Sequence, residues 1–76
     1  MNKKEFLAGF SKRLKLECFL SGKKYHEIAS LAGFSATSLY HYMQARGVPN
    51  SVNLANLCEV LDVSADWLIF GDSDGN

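Results

Sequence analysis

The chain has 76 residues, with eight Lys or Arg and eight Asp or Glu, so its formal net charge is zero, and 47% of its residues are hydrophobic. That length fits one small domain with a thin core and excludes an elaborate active-site cleft. The sequence contains no apolar run of about 18 residues that would cross a bilayer, and the residues behind Lys3 and Lys4 lack the apolar stretch of a secretory signal. We therefore expect a single-domain cytoplasmic protein.

The first predicted helix covers residues 3–20, and Gly22 ends it. Its inward stripe repeats at three- and four-residue spacing and consists of Phe6, Leu7, Phe10, Leu14 and Cys18. Leu16, Phe19 and Leu20 widen this stripe beyond one face of the helix. These three residues either pack beneath the following loop or form a small contact surface.

Two short helices follow, over residues 25–32 and 36–45, with a tight turn at Gly33 between them. The hydroxyl of Ser35 is placed to cap the first free N–H groups of the second of these helices. The apolar faces consist of Ile28, Ala29 and Ala32 on one helix and of Leu39, Tyr42 and Met43 on the other. This pattern predicts a helix-turn-helix, the motif whose second helix DNA-binding proteins insert into a groove.

Two more helices are predicted after a turn and cap cluster at residues 47–51. The fourth covers residues 51–61, and its inward residues are Leu54, Leu57, Cys58 and Leu61. The fifth covers residues 65–70, between the cap Ser64 and the terminator Gly71. Residues 72–76 are polar and predict a frayed tail or the start of a linker. The expected fold is therefore all-α, with one domain over residues 1–71.

Several short segments occur in a characteristic order and spacing along the chain. They are Phe10-x-x-Arg13-Leu14, Glu27-Ile28-Ala29, Gly33-Phe34-Ser35, Leu39, Pro49, Leu61-Asp62-Val63-Ser64 and Trp67-Leu68. Together they resemble the Cro and phage-repressor (lambda repressor-like) helix-turn-helix family. The resemblance implies a compact five-helix domain that binds DNA sequence-specifically and regulates transcription. Three residues differ from the family's usual pattern: Tyr25 replaces a phosphate-contacting Gln, Ala36 a base-reading polar residue, and Glu17 an apolar residue.

The zero net charge conceals two oppositely charged parts of the chain. All eight Lys and Arg precede Gly47, where three Glu oppose them and leave +5; the residues from Gly47 onward carry five acids and no Lys or Arg, which leaves −5. A basic face is the expected electrostatic footprint of DNA binding. The alternative is that Lys12, Arg13 and Lys15 only solvate the outer face of the first helix.

The third helix is the candidate recognition helix, which lies in the major groove with its N-terminal residues nearest the base edges. Six of its side chains do not face the predicted core and are the candidate base contacts: Ala36, Thr37, Ser38, Tyr40, His41 and Gln44. Tyr40 is expected to stack along a sugar or pack on thymine, the alternative being a place in the core beside Tyr42. Because no Arg precedes Arg46 on this helix, specificity is expected to depend in part on DNA shape.

Phosphate contacts are expected from the start of the second helix and from the end of the third. The candidate residues are Lys23, Lys24, Tyr25 and Arg46. One such domain reads a half-site, so a homodimer on an inverted-repeat operator is expected, with its two recognition helices about 34 Å apart. A short fifth helix cannot turn four consecutive large apolar residues to one core. Ile69 and Phe70 are therefore the candidate dimer surface, the alternative being that the tail folds over them.

The remaining reactive residues favour no catalytic or metal chemistry. Cys18 and Cys58 suit two small, reduced core residues, and His26 and His41 share no short metal-ligand spacing with them. The sequence contains no phosphate-cradling glycine loop and no recognisable nucleophile with an adjacent base. Three carboxylates, those of Glu59, Asp62 and Asp66, are expected within reach of one another but are more typical of a solvated face than of an acid and base pair. We expect no enzyme activity and no cofactor.

The sequence as a whole predicts a transcriptional regulator, similar to a phage or prophage repressor, that binds double-stranded operator DNA in the nucleoid of a bacterial cell. A regulatory antagonist protein is a further candidate partner. The alternative is a protein-interaction module that reuses the helix-turn-helix fold. The outer face of the third helix distinguishes the two: a DNA-reading face lies in positive potential and binds in a salt-dependent way, whereas a protein-binding face is apolar and salt-tolerant.

Overall fold

A computed structural model describes residues 1–71 as five α-helices, and no strand occurs among these residues. The helices are α1 (Lys3–Ser21), α2 (Tyr25–Ala32), α3 (Ala36–Met43), α4 (Ser51–Leu61) and α5 (Ala65–Phe70). The all-α, five-helix prediction is confirmed. The predicted tail, residues 72–76, lies outside the described residues, as do two of the five acids counted in the second half of the sequence.

The prediction that the third helix reaches residue 45 was wrong, because α3 ends at Met43. Ala45 adopts a left-handed conformation with φ of 61°, and its N–H donates to the carbonyl of Tyr42. The N–H of Arg46 donates to the carbonyl of His41 at 2.9 Å. These two hydrogen bonds form a Schellman motif, a common helix C-terminus, with Ala in the left-handed position usually held by Gly. No glycine at position 45 signals this end in the sequence.

Four of the five helices begin with a side-chain cap. Asn2 and Glu5 form a reciprocal capping box on α1, and Ser35, Asn50 and Ser64 accept hydrogen bonds from the first turns of α3, α4 and α5. At the other ends, Gly22 and Gly33 adopt the left-handed conformation after α1 and α2, as their positions in the sequence predict. Local chemistry therefore sets most of the helix boundaries.

The core lies among all five helices. Its buried residues are Phe10, Leu14, Cys18, Ile28, Ala29, Ala32, Leu39, Met43, Leu57, Leu61 and Leu68. Phe6, Tyr42, Leu54 and Cys58 pack against it while partly exposed, so these predicted inward residues form its margin. The amide Nδ2 of Asn56 donates to the carbonyl of Ala32 at 3.1 Å and ties α4 to the end of α2. This packing holds the helix-turn-helix on a single scaffold.

Side-chain hydrogen bonds join α1 to α5. Arg13 donates from Nε to the carbonyl of Leu68 at 3.0 Å and from Nη2 to the carbonyl of Ile69 at 2.9 Å. The Nε1 of Trp67 donates to Oε2 of Glu17 at 2.8 Å. Glu17, which stands where the family usually has an apolar residue, therefore has a structural role in this chain. Arg13 therefore does not solvate the outer face of α1; instead, it satisfies carbonyls that a helix end leaves without partners.

Neither cysteine forms a disulfide, and no group of three or more potential metal ligands lies together within residues 1–71. Burial raises the pKa of the Cys18 thiol from 9.0 to about 11, with a smaller contribution from the carboxylate of Glu17, and burial also raises the pKa of Cys58. Within the same residues, the structure has no helix with the length and apolar character needed to span a membrane.

Candidate nucleic-acid interface

Four side chains form an exposed ridge along the outer face of α3. Thr37, Tyr40, His41 and Gln44 lie at i, i+3, i+4 and i+7, so they share one side of the helix, and all four are exposed. Leu39 and Met43 face the other way into the core. We call these four residues the α3 ridge. Its hydroxyl, imidazole and amide groups can donate to and accept from base edges.

The other two predicted base contacts lie at the margin of this ridge. Ala36 is half-buried and packs against the core, so its methyl group is turned less to the outside than the sequence analysis expected. Ser38 is also half-buried: its N–H donates to Oγ of Ser35 at 3.1 Å, and its hydroxyl accepts from that of Ser35 at 3.0 Å. Both residues are thus partly committed to the scaffold at the start of α3.

The start of α2 has no side-chain cap among the described hydrogen bonds. Its N-cap residue is Lys24, whose backbone is extended and whose side chain cannot accept from the free N–H groups. Lys24 and Tyr25 are exposed, while Lys23 is half-buried and donates its N–H to Oγ of Ser21 at 3.1 Å. Glu27, in the same first turn, is exposed as well. This end of α2 presents N–H groups, a positive dipole end and a lysine ammonium to an incoming anion.

An aromatic contact joins the start of α2 to the α3 ridge. The rings of Tyr25 and Tyr40 meet edge to face, with centroids 6.0 Å apart and an interplanar angle of 84°. Tyr40 is nevertheless 49% exposed, so the expectation that it stays out of the core holds, whereas Tyr42 packs on the core and on Phe34. The Tyr25–Tyr40 contact could not be predicted from the sequence, where its only signal is an aromatic residue at each position.

Two lysines near the N-terminus, Lys3 and Lys4, lie beside the end of α3. Lys3, Lys4, Leu7 and Ala8 of α1 line a shallow groove with Ala45, the residue before Arg46. Arg46 is exposed, as are both lysines. Lys3 and Lys4 are not among the site residues predicted from the sequence, because only the packing of α1 against α3 brings positions so distant in sequence together.

The candidate dimer residues lie on α5, which packs on α1 and α4. Leu68 is buried and Trp67 packs against the core, so these two face mainly inward. Ile69 is half-buried and Phe70 is 61% exposed. Within residues 1–71, Phe70 is left uncovered. The alternative is that the tail folds over Ile69 and Phe70, but the tail, residues 72–76, lies outside the described residues.

Comparison with known proteins identifies one family. The profile described as "Helix-turn-helix domain" matches residues 8–68, which include α2, α3, α4 and most of α1 and α5. No curated protein and no solved structure matches the chain significantly. A helix-turn-helix domain is typical of DNA-binding proteins and is itself typically non-catalytic.

Proposed function

Because the chain belongs to the helix-turn-helix domain family, we propose that it is a sequence-specific regulator of transcription that binds double-stranded DNA. In this proposal the protein is a repressor of the phage or prophage type, and it acts by occupying an operator as a homodimer. The recognition helix is α3, which enters the major groove.

The α3 ridge is the observation that carries this proposal. Thr37, His41 and Gln44 present polar groups on a helix whose opposite face is anchored by Leu39 and Met43. Gln44 can pair with adenine, His41 can donate to guanine or phosphate, and the methyl group of Thr37 can touch a thymine methyl. A ridge that is mostly polar favours base edges over the apolar surface of a protein partner, so we place DNA ahead of the protein-interaction alternative.

Phosphates are bound on both sides of the ridge in this proposal. Lys23, Lys24 and Tyr25 act with the uncapped N–H groups of α2, and Arg46 acts after α3. The position of Lys3 and Lys4 beside Ala45 adds two cations near Arg46. These contacts fix the orientation of the domain rather than its sequence preference. With about four to six phosphates neutralised per subunit, affinity falls steeply as salt rises.

The described acids of the second half lie on other elements than the cations. Glu59, Asp62 and Asp66 belong to α4, its C-cap and α5, and all three are exposed. The described cations precede α4, on α1, on the start of α2 and on the turn after α3. In this proposal, that division of charge between elements favours positive potential near the start of α2 and the end of α3, although Glu27 is exposed in the first turn of α2. Such a potential attracts a polyanion despite the zero net charge of the chain.

The decisive experiment is a selection of random DNA duplexes by the purified full chain at moderate salt. We expect enrichment of one inverted repeat with half-sites about one helical turn apart. A parallel selection with a Thr37→Ala, His41→Ala, Gln44→Ala triple variant should lose that motif while the variant keeps its helical circular-dichroism spectrum. Recovery of unenriched sequence, or of the same motif with the triple variant, contradicts the proposal.

Dimerisation through α5 is tested by sedimentation in the presence of the selected operator. Phe70→Ala should shift the complex from two chains per duplex toward one, because Phe70 is the most exposed large apolar residue of this helix. Val52→Ala is the matched control, since Val52 is 68% exposed on α4 and lies outside the proposed interface. Unchanged stoichiometry and affinity for Phe70→Ala would remove Ile69 and Phe70 from the dimer surface.

A further inference from the structure

Three exposed apolar side chains form a patch on the outer face of α1. Leu16, Phe19 and Leu20 lie at i, i+3 and i+4, so they are neighbours on the helix surface, and Phe19 and Leu20 are 78% and 64% exposed. We call these three residues the α1 patch. A shallow groove lined by Lys12, Arg13, Leu16, Trp67 and Gly71 continues it toward α5. Contiguous exposed apolar residues mark a binding surface, whereas singly scattered ones do not.

The fold does not require the α1 patch. The inward side of the same helix is filled by Phe10, Leu14 and Cys18, which have almost no exposed surface. The loop after α1 does not cover Phe19 or Leu20, which excludes the first of the two alternatives raised by the sequence. The patch is therefore available to another molecule.

The rim of the α1 patch is cationic. Lys12 lies one helical turn before Leu16 and Lys15 one turn before Phe19, and both lysines are exposed. The nearest acid on the helix, Glu17, is half-buried and accepts the hydrogen bond from Trp67 of α5. Arg13, which lines the groove, is occupied by its two bonds to α5 carbonyls. On α1, the free charges beside the patch are thus those of Lys12 and Lys15.

We propose that the α1 patch binds an amphipathic helical segment of another protein that carries acidic residues beside its apolar face. Apolar side chains of that segment pack on Phe19 and Leu20, and one enters the groove beside Leu16 and Trp67. Its Asp or Glu side chains pair with Lys12 and Lys15, which sets its orientation.

Charge and shape favour this occupant over two others. A second copy of the chain, related by a two-fold axis through the patch, would bring two cationic rims together. An anionic membrane would attract the lysines but would leave the groove that ends at Gly71 unfilled. At that end of the groove the backbone of Gly71 lies so close to Arg13 that an added side chain would clash with its guanidinium. A helical segment with a projecting side chain fills both the patch and the groove.

The inference does not rest on DNA binding. Ala8 is the last α1 residue that lines the groove with Ala45 at the end of α3. Leu16 lies eight residues further along α1, which is about 12 Å of helix. A partner on the α1 patch therefore lies away from the groove at the end of α3.

The test is a selection from a display library of random peptides, each about 16 residues and about 24 Å long as a helix. The full chain is the target and its Phe19→Ser variant is the counter-target. We expect enriched peptides with apolar residues at helical spacing and flanking Asp or Glu. Such a peptide should bind the native chain at least about tenfold more tightly than Phe19→Ser or Leu20→Ser, with Val52→Ser as the matched control that retains full affinity.

Several results would overturn the inference: no enrichment over the counter-target, enriched peptides with basic flanks, or equal binding to Phe19→Ser. Self-association that is lost in Phe19→Ser would assign the patch to a second copy. Phe19-dependent binding to vesicles of equal parts phosphatidylcholine and phosphatidylglycerol would assign it to membranes. Phe19→Ser should still bind the selected duplex like the native chain, so failure of this inference and failure of the proposed function are distinguishable.

Discussion

The inner and outer faces of α3 differ in burial, although the helix has only eight residues. Leu39 and Met43 are buried and hold the helix in the core, whereas the side chains of Thr37 and His41 are exposed. The first pair contributes to the free energy of unfolding, and the second is free to contribute to binding. The comparison teaches that stability and the proposed DNA recognition are separable on this helix, because the period of the helix assigns the residues for each to opposite sides.

Leu39→Ala is expected to have the largest effect. Removing a fully buried leucine should lower the free energy of unfolding by about 2–5 kcal/mol, which is a large part of the total for so small a domain. Urea denaturation followed by circular dichroism measures it. Thr37→Ala, two residues away on the outer face, should change stability by no more than about 0.5 kcal/mol. Equal losses of unfolding free energy for the two variants would show that the two faces of α3 do not differ in their contribution to stability.

The core into which the inner face of α3 packs is also tested by pH, through the buried thiol of Cys18 on α1. The pKa of this thiol is raised in the folded chain to about 11 from 9.0, so the folded state favours the neutral form. Its contribution to stability is fully present below pH 9 and is lost as pH rises through about 11, by about 2 kcal/mol. Urea denaturation at both ends of that range should show a smaller alkaline loss for Cys18→Ala than for the native chain.

The matched control for Cys18 is Cys58→Ala. Cys58 is only half-buried, and although its pKa is also raised, its variant should lose nearly as much stability at high pH as the native chain. If Cys18→Ala follows the native curve, the thiol is not the group that titrates.

On the outer face, Gln44→Ala should weaken binding to the selected operator by about 1–2 kcal/mol and relax selectivity at one base pair, with stability almost unchanged. Fluorescence anisotropy with the operator and with single-base variants measures both effects. Ser30→Ala, an exposed polar position on α2 outside the proposed contacts, is the control. Equal loss on every duplex would mean that Gln44 contacts phosphate rather than a base.

Lys24→Ala should have the smallest and least selective effect. It should weaken binding to specific and non-specific duplexes alike and reduce the slope of log affinity against log salt by about 0.9. Lys12→Ala is the control and removes another exposed lysine, from the outer face of α1. A common slope for the two variants would indicate a diffuse attraction instead of a phosphate contact at the start of α2.

Much of this architecture could be predicted because it depends on neighbours in sequence. Ser35 and Ser64 cap the helices that follow them, and Gly33 turns the chain between α2 and α3, as the sequence alone indicates. The two faces of α3 likewise follow from the spacing of Leu39, Tyr42 and Met43. The end of α3 could not be predicted, because Ala45 adopts a conformation that its residue type disfavours.

The sequence by itself determined the helices, their caps and the division of α3 into an inner and an outer face, since these follow from residue type and the 3.6-residue period. Tertiary structure alone decided that Arg13 bonds to α5, that Tyr25 meets Tyr40 and that Lys3 and Lys4 lie beside the end of α3. These pairings join residues far apart in the chain, and only the packing of whole helices specifies which of them meet.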